Sequence, residues 1–286
     1  MKLRIDTLLV EHGFAESREQ AQRLIMAGSV YINNSNNIKA GHKVNDDVAI
    51  RVVDKERYVS RGGLKLEGAL ENSQLNVENK ICADIGTSTG GFTDCLLQHG
   101  ARLVYAVDVG KTQIHEKLRD NPQVILCENT NAKFLTETTL PDKPDVIVID
   151  VSFISLTKIL HGVYRICHPD TRILALVKPQ FEATIQEVGK NKGIIINPLS
   201  HFKILCNVVR SACDNGFVPI ALYSCKIKGS RGNHEWFIYM GIAQTEQIIM
   251  DSIVDKCKEA CRLRWNDTNF DKVAEEYRFS VKDHDL

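Results

Sequence analysis

The chain has 286 residues, 43% hydrophobic and 25% charged, enough to bury one large core and a second, smaller one. Lys+Arg and Asp+Glu both number 36, so the net charge is zero and any surface for a polyanion must be a local patch. The absence of a run of about 18 apolar residues argues against a membrane span, and Asp6 and Glu11 interrupt the apolar core that a signal peptide needs. Nine scattered cysteines without a C-x-x-C pair argue for reduced thiols in a cytoplasmic setting rather than for disulfides or zinc. Cys257 and Cys261 sit four apart on an expected helix with no His nearby, so no metal is implied.

Residues 1–58 form an expected small module. Leu3, Ile5, Leu8 and Leu9 fit one face of a short helix that stops at Gly13. Ser17 caps a second helix, Arg18 to Ala27, with Ala21, Leu24 and Ile25 inward and Gly28 as its stop. Val30 to Ile32 is a strand, 33–37 a polar turn, and Val44 to Val53 alternates as a further strand. Arg4, Arg18, Arg23, Lys39 and Lys43 are candidates to share one surface, although a solvated helix face is the commoner fate of such charges. The order of Arg4, Asp6, Ser17-Arg18, Ala21, Leu24-Ile25 and Gly28 to Asn33 resembles the small RNA-binding domain named after ribosomal small-subunit protein four. That resemblance implies a grip on RNA phosphates that positions rather than selects.

Residues 59–63 read as a hinge linker with paired glycines and Arg61, a further RNA-binding candidate, and Leu64 to Leu70 as a helix carrying Lys65. The large domain spans 64–245, and 246–286 is a C-terminal extension in which Ile248 to Leu263 suits an amphipathic helix. The domain is organised around ICADIGTSTGGFTD, Ile81 to Asp94. An apolar run ends in Asp84, a glycine-rich turn follows, and Phe92, Leu96 and Leu97 resume a helical spacing. Strand, glycine turn and helix open a nucleotide-type βαβ unit. The turn lacks the Lys-Ser/Thr of a triphosphate site, and its D-x-G-x-x-x-G-G pattern suits a ligand carrying a charged amino acid. Arg102 to Val109 is a second strand whose Asp108 is placed to accept both ribose hydroxyls of an adenosine. Val124 to Cys127 is a third, leading to Asn131 near an adenine edge.

Asp145 to Asp150 and Ile173 to Val177 are further strands, ending in Asp150 and Lys178, with a helix from Leu156 to Ile166 between them. Residues 183–195 form an expected polar loop, Pro198 to Asn215 a helix, and Pro219 to Cys225 and Glu235 to Met240 the last strands. This alternation predicts an α/β, mainly parallel, doubly wound Rossmann-like sheet whose ligand lies outside the carboxyl ends of the strands. Charges placed where buried strands emerge are costly unless paired or used. Asp150 and Lys178 become neighbours if their strands are adjacent, either as a structural pair or with Lys178 as a general base. A lysine near other cations and partly desolvated can give up its proton near neutral pH.

Lys65, Asp150, Lys178 and Glu235 match in order the K-D-K-E tetrad of FtsJ-like ribose 2′-O-methyltransferases. With their contexts, Tyr58 to Leu66, Asp150 to Leu156, Val177 to Glu182 and Gly232 to Trp236, and with the RNA-binding N-terminus, the chain resembles the TlyA (hemolysin A) family. The resemblance implies a seven-stranded class I methyltransferase fold and transfer from S-adenosyl-L-methionine to a cytidine 2′-hydroxyl of ribosomal RNA within ribosomal subunits. It carries the catalytic tetrad, with Asp84, Gly86, Gly90, Gly91, Asp108 and Asn131 at the cofactor. His234 stands where the family often has an apolar residue and is given no catalytic part. Two other readings compete: a membrane-acting hemolysin, as the family's older name suggests, and an RNA-binding module without activity.

Overall fold

The computed structural model describes residues 2–26, 29–33, 35, 38–52, 57–111, 113–190, 192–243, 250–265, 270, 271 and 274. The expected helix stop at Gly28, residues 34, 36 and 37 of the polar turn, and the tail beyond 274 lie outside them. The chain divides into two units, Met1–Arg57 and Tyr58–Leu286.

In the first unit the elements are β1 (Lys2–Arg4), α1 (Ile5–Glu11), α2 (Arg18–Met26), β2 (Val30–Ile32), β3 (Lys43–Asn45) and β4 (Ile50–Val52). Ile5, Leu8, Leu9, Ala21, Leu24, Ile25 and Val30 form its core. Two expectations are corrected here. Leu3 lies in a strand, because β1 finds an antiparallel partner in β3, and the helix begins only at Ile5. The alternating stretch from Val44 is two strands pairing with different partners, β3 with β1 and β4 with β2. The Val48 amide turning back to the Asn45 carbonyl separates them. Asp6, in the first turn of α1, is fully buried and accepts from Arg4 Nε (3.0 Å), Arg4 Nη2 (2.8 Å), Arg18 Nη2 (3.3 Å) and Gln22 Nε2 (3.0 Å). These donors, Arg4 first, hold its carboxyl well below the usual range.

The second unit begins with a packed knot rather than a hinge. Tyr58 is buried, and a Cβ on Gly63 would stand 2.3 Å from its ring. Ser60 caps α3 (Arg61–Ser73) by accepting from the Gly62 amide, and the Val59 amide donates to Asp94 Oδ2 at 2.8 Å. Residues 59–63, expected as a hinge, therefore hold the start of α3 in place. There follow β5 (Ile81–Ile85), α4 (Gly91–Gln98), β6 (Leu103–Val107), α5 (Glu116–Arg119), β7 (Val124–Cys127), β8 (Val146–Ile149), α6 (Leu160–Arg165) and β9 (Arg172–Val177). The unit closes with α7 (Pro179–Glu182), α8 (Ile185–Lys190), α9 (Pro198–Asp214), β10 (Phe217–Ser224), β11 (Trp236–Ile242) and α10 (Met250–Trp265). Two expected boundaries change. Leu156–Lys158 is a 3-10 turn ahead of α6, and the expected polar loop at 183–195 contains α8, where Glu187 accepts from Thr184 and Ser200.

The strands form one seven-stranded sheet, ordered β10-β11-β9-β8-β5-β6-β7. Pairs among β5 to β9 are parallel, while β11 runs antiparallel to both β9 and β10. Burial is near total along β5, β6, β8 and β9, as a sheet covered on both faces requires. The chain leaves β5 for β6 on one side and later returns to β8 on the other, which opens a crevice at the carboxyl ends of β5 and β8. Helix α10, in the stretch expected as an extension, packs against α9 and β10 and buries Val254, Cys257, Ala260 and Cys261. Among the described residues no helix is long and apolar enough to cross a membrane.

Arg4 and Arg18 keep 44% and 53% of their side-chain surface in water, so their pairs with Asp6 are worth the low end for charged hydrogen bonds. Asp6→Asn should cost the first unit about 1–2 kcal/mol, read as faster amide exchange in α1 and α2 of the whole protein with the second unit unchanged. Because the folded carboxyl is depressed, that difference is present above the ordinary carboxylate pKa and shrinks as pH falls below it.

Candidate active site

Four elements bring the charged residues to one edge of the sheet. Asp150 follows β8 and Lys178 follows β9, so adjacent parallel strands deliver them side by side. Glu235 precedes β11, whose antiparallel run turns its beginning, not its end, toward that edge; Trp236 pairs with Val177. Lys65 comes from the second turn of α3. The result is two ion pairs. Lys178 Nζ lies 2.5 Å from Asp150 Oδ1 and donates to Ser152 Oγ at 2.8 Å. Lys65 Nζ lies 2.6 Å from Glu235 Oε2, with the two side chains 11% and 2% exposed. The carboxylates balance the ammonium groups, so the buried cluster carries no net charge, which is what makes its burial tolerable.

The glycine turn sits beside this cluster. Gly86 has φ +87°, and a Cβ there would stand 2.7 Å from the Asp150 carbonyl oxygen, so the turn passes close to the end of β8 only without a side chain. Gly90, at φ +93°, caps α4 in a conformation that other residues resist. Gly91 also has a packing use. A Cβ on it would stand 2.1 Å from Ser60 Oγ and 3.0 Å from the Gly63 amide, so its bare Cα packs α4 onto the cap of α3.

Asp84 is fully buried, and its Oδ2 accepts from the Thr93 amide (2.9 Å) and hydroxyl (2.7 Å), while Oδ1 is buried without a partner. Burial first, then the charges of Asp150 and Asp108, push its carboxyl up to about 7 against the pull of Thr93. Asp108 is fixed by two backbone donors, Ser88 to Oδ2 (2.8 Å) and Gly110 to Oδ1 (2.7 Å), which leaves a lone pair on each oxygen. Asn131 is exposed and caps the following 3-10 turn by accepting from the Lys133 amide. A turn with bare glycines at both ends, an orphaned carboxylate oxygen and two further carboxylates nearby fit a cationic ligand with a hydroxylated sugar.

Several residues at this edge did not stand out individually in the sequence. Ser152 holds Lys178. Phe153 is 88% exposed, sits at φ +63°, and tilts against Phe181 with ring centroids 5.3 Å apart. A bulky residue in the left-handed region costs free energy and persists only where its surroundings impose it. Just beyond it, Glu182 holds the chain: its Oε1 accepts from the Leu156 amide (2.7 Å) and its Oε2 from Ser155 Oγ (2.5 Å). The segments Asp150 to Leu156 and Val177 to Glu182 carried these residues as motif contexts, but only folding puts one against the other.

Arg61 is exposed and donates to the Lys228 carbonyl at 2.9 Å, tying α3 to the loop ahead of Glu235. In the first unit, Arg4 and Arg18 converge on Asp6, and Lys43 stands opposite Arg4 across the β1–β3 pair. Lys39 is exposed on the connection before β3. Arg23, five positions beyond Arg18, is turned roughly 140° around α2 and does not share that face.

Comparison with known proteins agrees with this geometry. The family model described as FtsJ-like methyltransferase matches residues 58–242, and the S4 domain model matches residues 3–36. Hemolysin A of Brachyspira hyodysenteriae is 44% identical over 238 residues, covering 83% of this chain and 99% of that one. The 16S/23S rRNA (cytidine-2′-O)-methyltransferase TlyA of Mycobacterium tuberculosis is 40% identical over 241 residues, covering 84% and 90%. A solved structure from Streptococcus thermophilus, described as a candidate hemolysin, superposes with a TM-score of 0.70 at 40% identity over 91% of this chain and 95% of that one. The chain belongs to the FtsJ-like methyltransferase family and carries an S4 domain at its N-terminus.

Proposed function

We propose that the chain is a cytoplasmic ribosomal RNA methyltransferase that moves a methyl group from S-adenosyl-L-methionine to the 2′-hydroxyl of a cytidine within a ribosomal subunit. The single observation that carries this reading is the pair of lysine–carboxylate contacts at the carboxyl edge of the sheet, next to the glycine turn. When bound, the cofactor supplies a sulfonium-activated methyl carbon, so the reaction asks mainly for alignment and for removal of one proton. Lys178 Nζ, once its own proton has passed to solvent, takes the proton of the attacking hydroxyl, and Asp150, 2.5 Å away, holds the ammonium that results. Lys65, held by Glu235, directs the ribose oxygen with a second, fixed donor.

The chain's other groups bind and orient. Asp108 accepts the cofactor's ribose hydroxyls, Gly86 and Gly90 let backbone approach it, Asn131 lies toward the adenine, and Asp84 answers its positive charge. Phe153, backed by Phe181, is a stacking surface for the target base or its neighbour. Arg4, Arg18, Lys39 and Lys43 hold RNA phosphates, with Asp6 fixing the direction of the two arginines. Arg23 lies on another face of α2 and contributes from there, and Arg61 serves at the catalytic edge.

The first experiment incubates the protein with labelled S-adenosyl-L-methionine and unmodified subunits of each kind, then maps modified nucleotides by mass spectrometry. A 2′-O-methylcytidine is expected; no transfer to either subunit, with cofactor binding intact, would sink the proposal. Lys178→Ala should lower kcat by about 10²–10⁴-fold, the usual worth of a general base, with cofactor Kd within twofold by calorimetry. Phe153→Ala should raise KM for the subunit about 5–100-fold through lost stacking, while leaving cofactor Kd alone.

Asp84→Asn separates stability from function. An acid whose folded pKa is raised to about 7 withdraws stability as pH rises from the ordinary carboxylate range to about 7. The amide keeps an acceptor for Thr93 and removes that loss. The variant's Tm at pH 8 should therefore rise by about 2–4 °C, while cofactor affinity falls at least about tenfold. A lower Tm with unchanged affinity would refute this role.

A further inference from the structure

The family match ends at residue 242, and α10 begins at Met250. Yet the end of α10 reaches the residues on either side of Glu235. Arg264 Nη2 donates to His234 Nε2 at 2.6 Å. A guanidinium can only donate, so this contact makes Nε2 the acceptor and places the imidazole proton on Nδ1. On the other flank, Trp236 is fully buried and its Nε1 donates to His201 Nδ1 at 3.0 Å, while His201 Nε2 bonds the Ile195 carbonyl at 2.8 Å. Trp265 closes this group. Its ring centroid lies 4.8 Å from His201, 5.5 Å from Trp236 and 6.2 Å, edge-on, from His234.

We propose that Arg264 and Trp265 are positioning residues for Glu235, so that the C-terminal helix, outside the family's matched region, completes the catalytic site of this chain. The reason lies in how little freedom Glu235 has. Its side chain is 2% exposed, its Oε2 meets Lys65 at 2.6 Å, and a Cβ on Gly229 would stand 2.3 Å from its Oε1. Asn233, fully buried two positions before Glu235, accepts from the Ile195 amide and donates to the Gly193 carbonyl, at 2.8 Å each. Glu235 is thus set by the backbone on either side of it, and each flanking side chain leans on α10. A displacement of His234 or Trp236 passes directly to the carboxylate, and Lys65 follows it. Burial first, and then the Arg264 and Lys228 charges, keep the His234 imidazole neutral, as its acceptor part requires.

The inference rests on the catalytic reading of the tetrad, and its test keeps the two apart. Arg264→Ala, Arg264→Lys, Trp265→Ala and Trp265→Phe are compared with the unchanged full chain. The readouts are kcat on the modified subunit, cofactor Kd, Tm, and the acetylation rate of Lys65 relative to Lys178 with acetic anhydride, read by mass spectrometry. Arg264 is exposed, so its removal spares the fold. Arg264→Ala should lower kcat about tenfold, the scale of a sub-ångström misplacement, with cofactor Kd and Tm unchanged and Lys65 labelled several-fold faster. Arg264→Lys should recover part of kcat, and Trp265→Phe should exceed Trp265→Ala in both rate and Lys65 protection. Wild-type kcat and Lys65 labelling in both alanine variants would overturn the proposal, as would losses that only track cofactor binding or Tm. If the unchanged protein methylates neither subunit, the catalytic reading falls; Lys65 labelling, which needs no substrate, still decides whether α10 holds Glu235.

Discussion

Burying two ammonium groups at the edge of a sheet is possible only if each meets its carboxylate, and the architecture of the second unit follows from that demand. Lys65 and Glu235 are 170 positions apart and meet at 2.6 Å with almost no exposure. Removing either partner would leave the other charge buried and unpaired, a far larger penalty than the net worth of the pair. Four separate elements must therefore arrive together. The packed knot around Tyr58, Ser60, Gly63 and Gly91 fixes α3 and hence Lys65, while β8, β9 and the antiparallel β11 fix the other three.

The same edge holds an unsatisfied group and a strained one at some cost to the folded protein. Asp84 keeps one carboxylate oxygen buried and unpartnered, close enough to Asp108 and Asp150 for their charges to raise it further. Phe153 holds a backbone conformation that a bulky residue avoids, just ahead of the Ser155 and Leu156 groups that Glu182 holds. Unsatisfied or strained groups of this kind gather where a ligand later satisfies them. Asp84 is one residue from the end of β5 and Phe153 lies just past β8, so both costs fall at the carboxyl edge of the sheet.

The first unit handles charge differently. The chain is neutral overall, and the basic groups of this unit are concentrated by geometry rather than by number. Asp6 draws in Arg18 from 12 positions away to stand beside Arg4, with Gln22 on the same carboxylate. A buried acid beneath two half-exposed arginines weakens their charge but fixes their direction, which suits a surface that places RNA rather than one that grips it.

Much of this protein was legible in its sequence, and the misses share one cause. Apolar runs ending in Asp84, Asp108, Asp150 and Lys178 predicted the strands and the edge on which they open, because period and burial are local properties of the chain. The hinge at 59–63, the single strand from Val44 and the loop at 183–195 are misread from sequence, and the packing role of Gly91 is not visible there, because each depends on a partner distant in sequence. Gly91 is small on account of Ser60, and β3 and β4 part because they pair with different strands. The tetrad's members are evident as residues, and adjacent strands make Lys178 and Asp150 neighbours, but the pairing of Lys65 with Glu235 is not evident. Residue types and spacing determined the chemistry available and the fold that carries it. Only tertiary structure decided that Lys65 answers Glu235, and that α10 reaches the residues on either side of Glu235, because a side chain's partner is set by where the whole chain packs.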